Sequence, residues 1–569
     1  MKTMKSLVMA LVGTYSLLLS WSEAWAWEVK IAGGGANAVA VDGVGNVVVA
    51  GGILNGNGAS SFTVIKFNGV SGAELWRQVI IGTANSNGGA GAVTVDAAGN
   101  VIAAGITNVI NYISNTITVV KLDGVSGAEL WREDIHGSAN GQDSADAIAV
   151  DAAGNVVVAG STVNTGSSSD FTVVKFDGAS GAELWRQAIN GTANGPDWAN
   201  AVAVDVAGNV VGAGVTYNSG GWDFTVVKFD GATGAKLWQK DINGIEDGFD
   251  YANALAVDGA GNVVASGATS DVVDPVGDET FTVIKFDGVT GVELWRKVVI
   301  PGTFPGSVLA NGSGWANAVT VDAAGNVVAA GHIHAHNTGT SSEFTVVKFD
   351  GASGAEFWRN MINAGANDLA NAVAVDAAGN VTAAGISENP NTGIDFIVVK
   401  FDGATGQELW RHLIDGSGPD SYDNYDSAHA VVVDAAGNVI AAGHTYNAGT
   451  GNDFTVVKLP GTPMKYLGLT ADLTSPQPGG TTITFAAATM GGLAPLQYKW
   501  WVYDGYSWSL AKDWSTSSSF TWTAGVGGNY YIGVWVKSSL NPADAPEGSA
   551  YGSVPFDINL PLALISSAP

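Results

Sequence analysis

The chain has 569 residues, of which 13% are charged and 46% hydrophobic, with 78 Gly, 16 Pro and no Cys. A net charge of −28 opposes binding to phosphate backbones and anionic lipid, and the lack of Cys excludes disulfides and an N-terminal lipid-modified cysteine. The Gly-rich, apolar balance excludes collagen-like, coiled-coil and disordered chains and favours an all-β protein.

In chain order, residues 1–26 read as an export leader. Lys2 and Lys5 form a basic start, Leu7 to Leu19 an apolar run, and Ala24-Trp25-Ala26 a small-x-small cleavage site. The processed chain then begins at Trp27, in a periplasmic or extracellular compartment. The apolar run is shorter than the ~20 residues of a spanning helix, and no later stretch qualifies, so no membrane span is expected. Without Lys2, Lys5 and Glu23 the chain keeps 22 basic and 51 acidic residues, which makes divalent cations natural counter-partners and nucleic acid an unlikely one.

A self-similar unit fills residues 27–460. The Asp of a V-D-x-x-G-N segment recurs at 42, 96, 151, 205, 258, 322, 376 and 434, and the Lys of a T-V-V-K-F-D segment at 66, 121, 175, 228, 285, 348, 400 and 458. A following Trp recurs only seven times, at 76, 131, 185, 238, 295, 358 and 410. The eighth stands at the other end of the chain, because Trp27-Glu-Val-Lys-Ile31 has the spacing of Trp185-Arg-Gln-Ala-Ile189. The processed N-terminus therefore supplies the fourth strand of the eighth unit, as a closed ring requires and an open solenoid does not. Each unit reads as four strands. The position six before each repeat Asp is always Ala, at 36, 90, 145, 199, 252, 316, 370 and 428, as the crowded innermost strand needs, and Trp supplies bulk to the outermost. The expected fold is an eight-bladed β-propeller closed by the N-terminal strand.

The segments D-G-A-T-G-A-K-L-W (Asp230 to Trp238) and D-G-A-T-G-Q-E-L-W (Asp402 to Trp410) resemble the tryptophan-docking motif of the quinoprotein-type (PQQ-like) propeller repeats, and V-D-A-A-G-N-V-V-V-A-G resembles related repeats of secreted bacterial proteins. The enzymes of that family oxidise alcohols or sugars with pyrroloquinoline quinone and calcium. The vicinal Cys pair that several of them use cannot exist here, and no Glu/Asn/Asp set maps onto their calcium ligands and catalytic Asp. The G-x-S-x-G, H-E-x-x-H and P-loop motifs are also absent.

Loop lengths separate two faces of the ring. Lys to Trp is always 10 residues, whereas Asp to Lys varies from 23 to 27 and Trp to the next Asp from 15 to 27. Variable loops on a rigid scaffold mark the binding face. Asn37, Asp146, Asn200, Asn253, Asn317, Asn371 and His429 follow the repeated Ala and are expected as a polar ring at the channel mouth, most simply capping backbone groups where turns enter strands. Trp198, Tyr251 and Trp315 precede that Ala and could stack on sugar rings, anchor a protein or plug the mouth. His332, His334 and His336 alternate along one strand, and His444 aligns with His332 two units on. These four are candidate ligands for a transition metal, against the simpler reading of a polar loop. Asp415, Asp420, Asp423 and Asp426 cluster before the eighth unit, where carboxylates suit calcium or simply a solvated loop.

Residues 461–464 are a linker by composition, residues 465–561 a predicted β-sandwich, and residues 562–569 a tail. P-L-Q-Y-K-W-W-V-Y-D-G and G-G-N-Y-Y-I-G-V-W-V-K-S resemble Ig-like or PKD-like modules. Alternation sets Tyr498, Trp500 and Val502 against Lys499, Trp501 and Tyr503, and Tyr530, Ile532 and Val534 against Tyr531, Trp535 and Lys537. With the Lys-bearing sets outward, Trp501, Tyr503, Tyr531 and Trp535 form an aromatic platform for a polysaccharide or protein; packing against neighbouring structure is the alternative. Together these features favour an exported, non-catalytic recognition or scaffold protein with an extracellular or envelope partner and no cofactor. A metal-dependent enzyme on the variable face and a quinone-dependent oxidoreductase are the alternatives.

Overall fold

The computed structural model describes residues 27–559, apart from 57, 83–86, 111–113, 245–247, 271–278, 301–311, 336–341, 390–391, 419–424, 463, 492–494, 540–543 and 547–549. Residues 1–26, read above as a leader, His336, Asp420, Asp423 and residues 562–569, read as a tail, lie outside the described residues. Among the described residues every regular element is a strand and none is a helix long and apolar enough to cross a membrane. Two compact units divide the chain, Trp27–Gly461 and the residues from Thr462 onward.

The first unit is a β-propeller of repeated four-stranded antiparallel sheets, eight of them among the described residues. The sheet that opens the chain runs Gly34–Val41, Val47–Leu54, Ser60–Phe67 and Glu74–Ile80. In the last, Trp27–Ala32 lies outermost beside Gly451–Leu459, from Trp27 opposite Lys458 to Ala32 opposite Asp453. One core holds Ala36, Val39 and Val47 from the first sheet with Ile440, Ala442 and Phe454 from the last, so the ring closes on itself. The two middle strands of each sheet are buried on both faces by the neighbouring sheets, which is why Val156–Val163 and Ser169–Phe176 read as near-continuous apolar runs.

Two devices join each sheet to the next. On the short-turn face, Lys228 Nζ lies 2.7 Å from Asp205 Oδ2 and donates to Gly288 O of the following sheet at 2.6 Å. Trp238 Nε1 donates to the same carbonyl at 3.3 Å. Its ring covers Gly291, which has φ +68°; a Cβ there would come within 2.7 Å of the indole. This docking, repeated around the ring, explains the constant spacing of the [DN]-G-x-[ST]-G-x-x-[LF]-W segment. The exception is Trp410. The chain leaves the eighth sheet through Pro460-Gly461 instead of a docking turn, and the Trp410 indole N–H is buried without a hydrogen-bond partner. Truncation to Ala at a docked position such as Trp238 is expected to cost roughly the 3–5 kcal/mol of a lost core aromatic. Trp410→Ala should cost less than half of that, as read from urea midpoints.

The second device sits on the innermost strands. In every sheet the residue after the repeated Ala is the extra residue of a β-bulge, as between Ala199 and Ala201. The bulge turns that side chain out of the ladder. It also brings the Trp198 carbonyl so close to Gly214 that a Cβ would lie 2.1 Å from it, which accounts for the Gly of the A-G segment.

The second unit has a three-stranded sheet (Lys465–Ala471, Thr482–Met490, Ser519–Thr523) and a five-stranded sheet (Gln477–Pro478, Tyr551–Asn559, Gly528–Ser538, Leu496–Tyr503, Trp508–Ser515). Both sheets contribute to one core that includes Ile483, Phe485, Trp500, Ile532, Val534 and Phe556.

Candidate binding face of the propeller

The variable loops carry the starts of the first and third strands and the ends of the second and fourth, so they share one face. The bulged residues here do not cap their own turns. Asn37 Nδ2 donates to Ala90 O at 2.8 Å, Asn200 to Ala252 O at 2.9 Å, Asn253 to Ala316 O at 3.2 Å, Asn317 to Ala370 O at 2.9 Å and Asn371 to Ala428 O at 2.8 Å. His429 Nδ1 lies 3.0 Å from Ala36 O and links the eighth sheet to the first. The expected polar ring is therefore a belt that ties one sheet to the next at six of the eight seams, whereas Asp146 accepts from Ser144 Oγ of its own strand.

A further set, of which only Asp426 was named from the sequence and then as part of an acidic cluster, holds the loops. Asp143, Asp197, Asp250, Asp368 and Asp426 stand two before the repeated Ala and are fully or almost fully buried. One carboxylate oxygen accepts from the incoming loop and the other from the end of the second strand: for Asp250, Gly244 N at 2.7 Å and Ser270 N at 2.6 Å. These clamps fix the roots of the variable loops. The D-x-A spacing was the available signal. Burial, with Asp170 and Asp241 nearby, pushes Asp197 up to about 6.

Over the fourth to sixth sheets the face carries a continuous aromatic arc. Tyr217 and Trp222 have ring centroids 5.3 Å apart, Trp222 and Phe249 4.7 Å, Phe249 and Tyr251 6.2 Å, and Tyr251 and Trp315 5.8 Å; Trp198 lies 6.4 Å from Tyr251. Trp222 Nε1 donates to Pro196 O at 3.2 Å, which orients its ring. Phe249 is 46% and Trp315 39% exposed, so the arc offers ring surface to a partner. Elsewhere on the face lie three cavities of about 410, 550 and 460 Å³, the first lined in part by Tyr425 and His429, the second by His444 and Tyr446, the third by Asn87 and Asp146.

The candidate metal histidines fall into two places. His332 and His334 alternate on Val327–Ala335 of the sixth sheet, with His332 against Trp315. His444 is in the eighth sheet, 4.9 Å from the His429 ring and 5.3 Å from Tyr425. The one group of three metal-competent side chains among the described residues is Asp395, Asp415 and Asp426, with ligand oxygens within 4.8 Å of one another; no histidine belongs to it. Burial depresses His332 and His444 to about 4, with His334 and His429 as the secondary causes. Both stay neutral in the fold while the unfolded chain takes up protons below its ordinary 6.5. Stability is therefore complete above pH 6.5 and falls as the pH drops toward 4. For His444, which is 8% exposed, the loss approaches roughly 3 kcal/mol at ~1.4 kcal/mol per pH unit. Asp197 acts in the opposite sense, gaining stability between pH 6 and 4. His444→Gln should flatten the acid limb of a denaturation-midpoint-against-pH curve.

In the C-terminal unit Tyr498, Trp500 and Val502 enter the core and Trp501, Tyr503, Tyr531 and Trp535 lie on the other face of the sheet. Trp501 and Trp535 are 4.8 Å apart, Tyr503 and Trp508 5.4 Å. Tyr531 is exposed and the other three half-buried. The lysines differ from expectation. Lys499 and Lys537 are buried rather than solvated, because Trp514 lies over both, with Lys537 Nζ 4.6 Å from its ring centroid and Lys499 Nζ bonded to Asp544 at 2.6 Å.

The quinone cofactor that the repeat resemblance brings with it is an anion and asks for basic side chains. No Lys or Arg lines any of the three cavities, and the eight repeat lysines are buried in pairs with the repeat Asp. Among the described residues, the walls of these cavities do not fit that group.

A ring of four-stranded sheets joined by docked tryptophans defines a β-propeller of the PQQ-like repeat class. The chain belongs to the family described as outer membrane protein assembly factor BamB, which matches residues 8–207, 117–342 and 222–465. No curated protein matches it. Among solved structures, the quinohemoprotein alcohol dehydrogenase of Comamonas testosteroni is similar over 76% of this chain and 76% of that one, at 12% identity and TM-score 0.49. A second quinohemoprotein alcohol dehydrogenase, from Pseudomonas putida HK5, is similar over 80% and 78%, at 12% identity and TM-score 0.44. Sqt1 from Chaetomium thermophilum is similar over 74% and 95%, at 10% identity and TM-score 0.43. At these identities and scores nothing follows about activity.

Proposed function

We propose that the chain is an exported, non-catalytic recognition or scaffold protein, built as an eight-bladed propeller closed by its own N-terminal strand and followed by an Ig-like domain. It binds an envelope or extracellular protein or polysaccharide through the variable-loop face, and the C-terminal aromatic face adds a second contact. The observation that carries this reading is the aromatic arc from Tyr217 to Trp315, where Phe249 and Trp315 leave ring surface exposed on a scaffold fixed by the belt and the Asp clamps. Large, stiff aromatic side chains bind partners at low entropic cost. The family's name, an outer membrane assembly factor, supports an envelope partner, and the leader supports export. The test is tryptophan emission of the processed protein titrated with a panel of neutral and acidic polysaccharides and purified envelope proteins. A saturable shift with at least one of them is expected; a flat response to all contradicts the reading.

A further inference from the structure

The belt around the channel is interrupted at one place. Six sheets present Asn or His at the bulged position, and each meets the next sheet's Ala carbonyl. The second sheet has Gly91 and the third Asp146. At Gly91 a side chain is impossible without rearrangement, because a Cβ would lie 2.6 Å from Ala145 O. An ionised Asp146 has no proton to give to Ala199 O. It instead accepts from Ser144 Oγ at 2.6 Å, and Ser144 Oγ is also 3.0 Å from Ser161 Oγ. The Asp146 side chain is exposed at the rim of the channel, where it is open to a ligand.

The cavity of about 460 Å³ lies over this interruption, with Asn37, Asn87, Asn115, Gln142, Ser144 and Asp146 in its wall. The Asn115 side-chain oxygen is buried and has no hydrogen-bond partner. The wall therefore combines one solvent-accessible carboxylate with one unpaired amide oxygen and further amide and hydroxyl groups. Such a set offers a ligand acceptors and one negative charge. A divalent metal ion asks for more carboxylates than one, whereas a protonated amine brings one charge and three donors, and ring hydroxyls satisfy side-chain amides.

We infer that this cavity is a binding site for a small hydroxyl-rich amine, an amino sugar in chemical class, whose ammonium group pairs with Asp146. The site uses no residue of the aromatic arc and stands or falls apart from the function proposed above.

The test is calorimetric titration of the full processed protein with glucosamine, and with N-acetylglucosamine, glucose and butylamine as probes lacking either the charge or the hydroxyls. Glucosamine is expected to bind at least tenfold more tightly than each of the three. Asp146→Asn removes the charge and supplies the donor that the belt lacks toward Ala199 O, so it should weaken glucosamine at least tenfold while the melting temperature holds or rises. Asp146→Ala, which leaves the cavity open but uncharged, should weaken it equally. Val125→Ser, on an exposed turn of the opposite face, should leave it unchanged. Absence of glucosamine binding, equal binding of N-acetylglucosamine or butylamine, or unaltered affinity in both Asp146 variants overturns the assignment.

Discussion

A chain truncated to begin at Gly33, without Trp27–Ala32, is expected to lose much of its stability and to associate with other copies. Those six residues pair with Gly451–Leu459 along their whole length. Trp27 docks on Gly72, which has φ +68°, and its Nε1 donates to Gly69 O at 3.2 Å, alongside Lys458 Nζ at 2.9 Å. Deletion removes one docking tryptophan, worth roughly 3–5 kcal/mol by comparison with core aromatic truncations, and unpairs a strand edge that invites association between chains. Urea denaturation should show a lower midpoint, and light scattering a concentration-dependent rise in mass. A synthetic peptide of residues 27–33, added in trans, should restore both in part. An unchanged midpoint would mean that the ring does not depend on its N-terminal strand.

Lys228→Met is expected to be as damaging on the short-turn face as loss of a docked tryptophan. Burial alone would raise Asp205; the Lys228 hydrogen bond and those from Asn209 outweigh it and hold the carboxyl below its usual range. Losing Lys228 leaves a buried carboxylate uncompensated and Gly288 O without its lysine donor, at a cost of about 3–5 kcal/mol. The pH dependence should also change sign at this site. In the parent chain the lowered Asp205 contributes stability above pH 3.8 that is lost on acidification, whereas in the variant acid relieves the stranded charge. Asp205→Asn in the Lys228→Met background keeps the turn acceptor for Ala207 and Asn209 and should recover part of the loss. The exposed Arg–Glu pairs three residues apart, such as Arg186 with Glu183 at 2.6 Å, are expected to contribute less than about 1 kcal/mol each.

The repeat, the docking tryptophans and the displaced N-terminal strand were legible in the sequence because each is one residue type at a constant spacing. The belt was not. Asn37 and its equivalents stood out as a row, but their partners are backbone carbonyls about 50 residues away, reached only because a bulge redirects the side chain. The aromatic arc was half legible. Trp198, Tyr251 and Trp315 share one repeat position, while Tyr217, Trp222 and Phe249 come from a strand end, a strand start and a loop, and meet the others only when neighbouring sheets pack. In the C-terminal unit, alternation separated core from face correctly around Trp500 and Ile532. It could not foresee that Trp514, from an adjacent strand, covers Lys499 and Lys537.

The central claim is that partner recognition resides in the aromatic arc of the variable face. It is tested most directly by comparing the processed protein with its Trp198→Ala/Trp222→Ala/Trp315→Ala variant. Each is titrated against whichever polysaccharide or envelope protein shifts the parent's tryptophan emission, with circular dichroism and melting temperature confirming that the variant keeps its fold. A loss of at least tenfold in affinity is the predicted result. Undiminished affinity in a folded variant would contradict the account and move the site elsewhere on the chain.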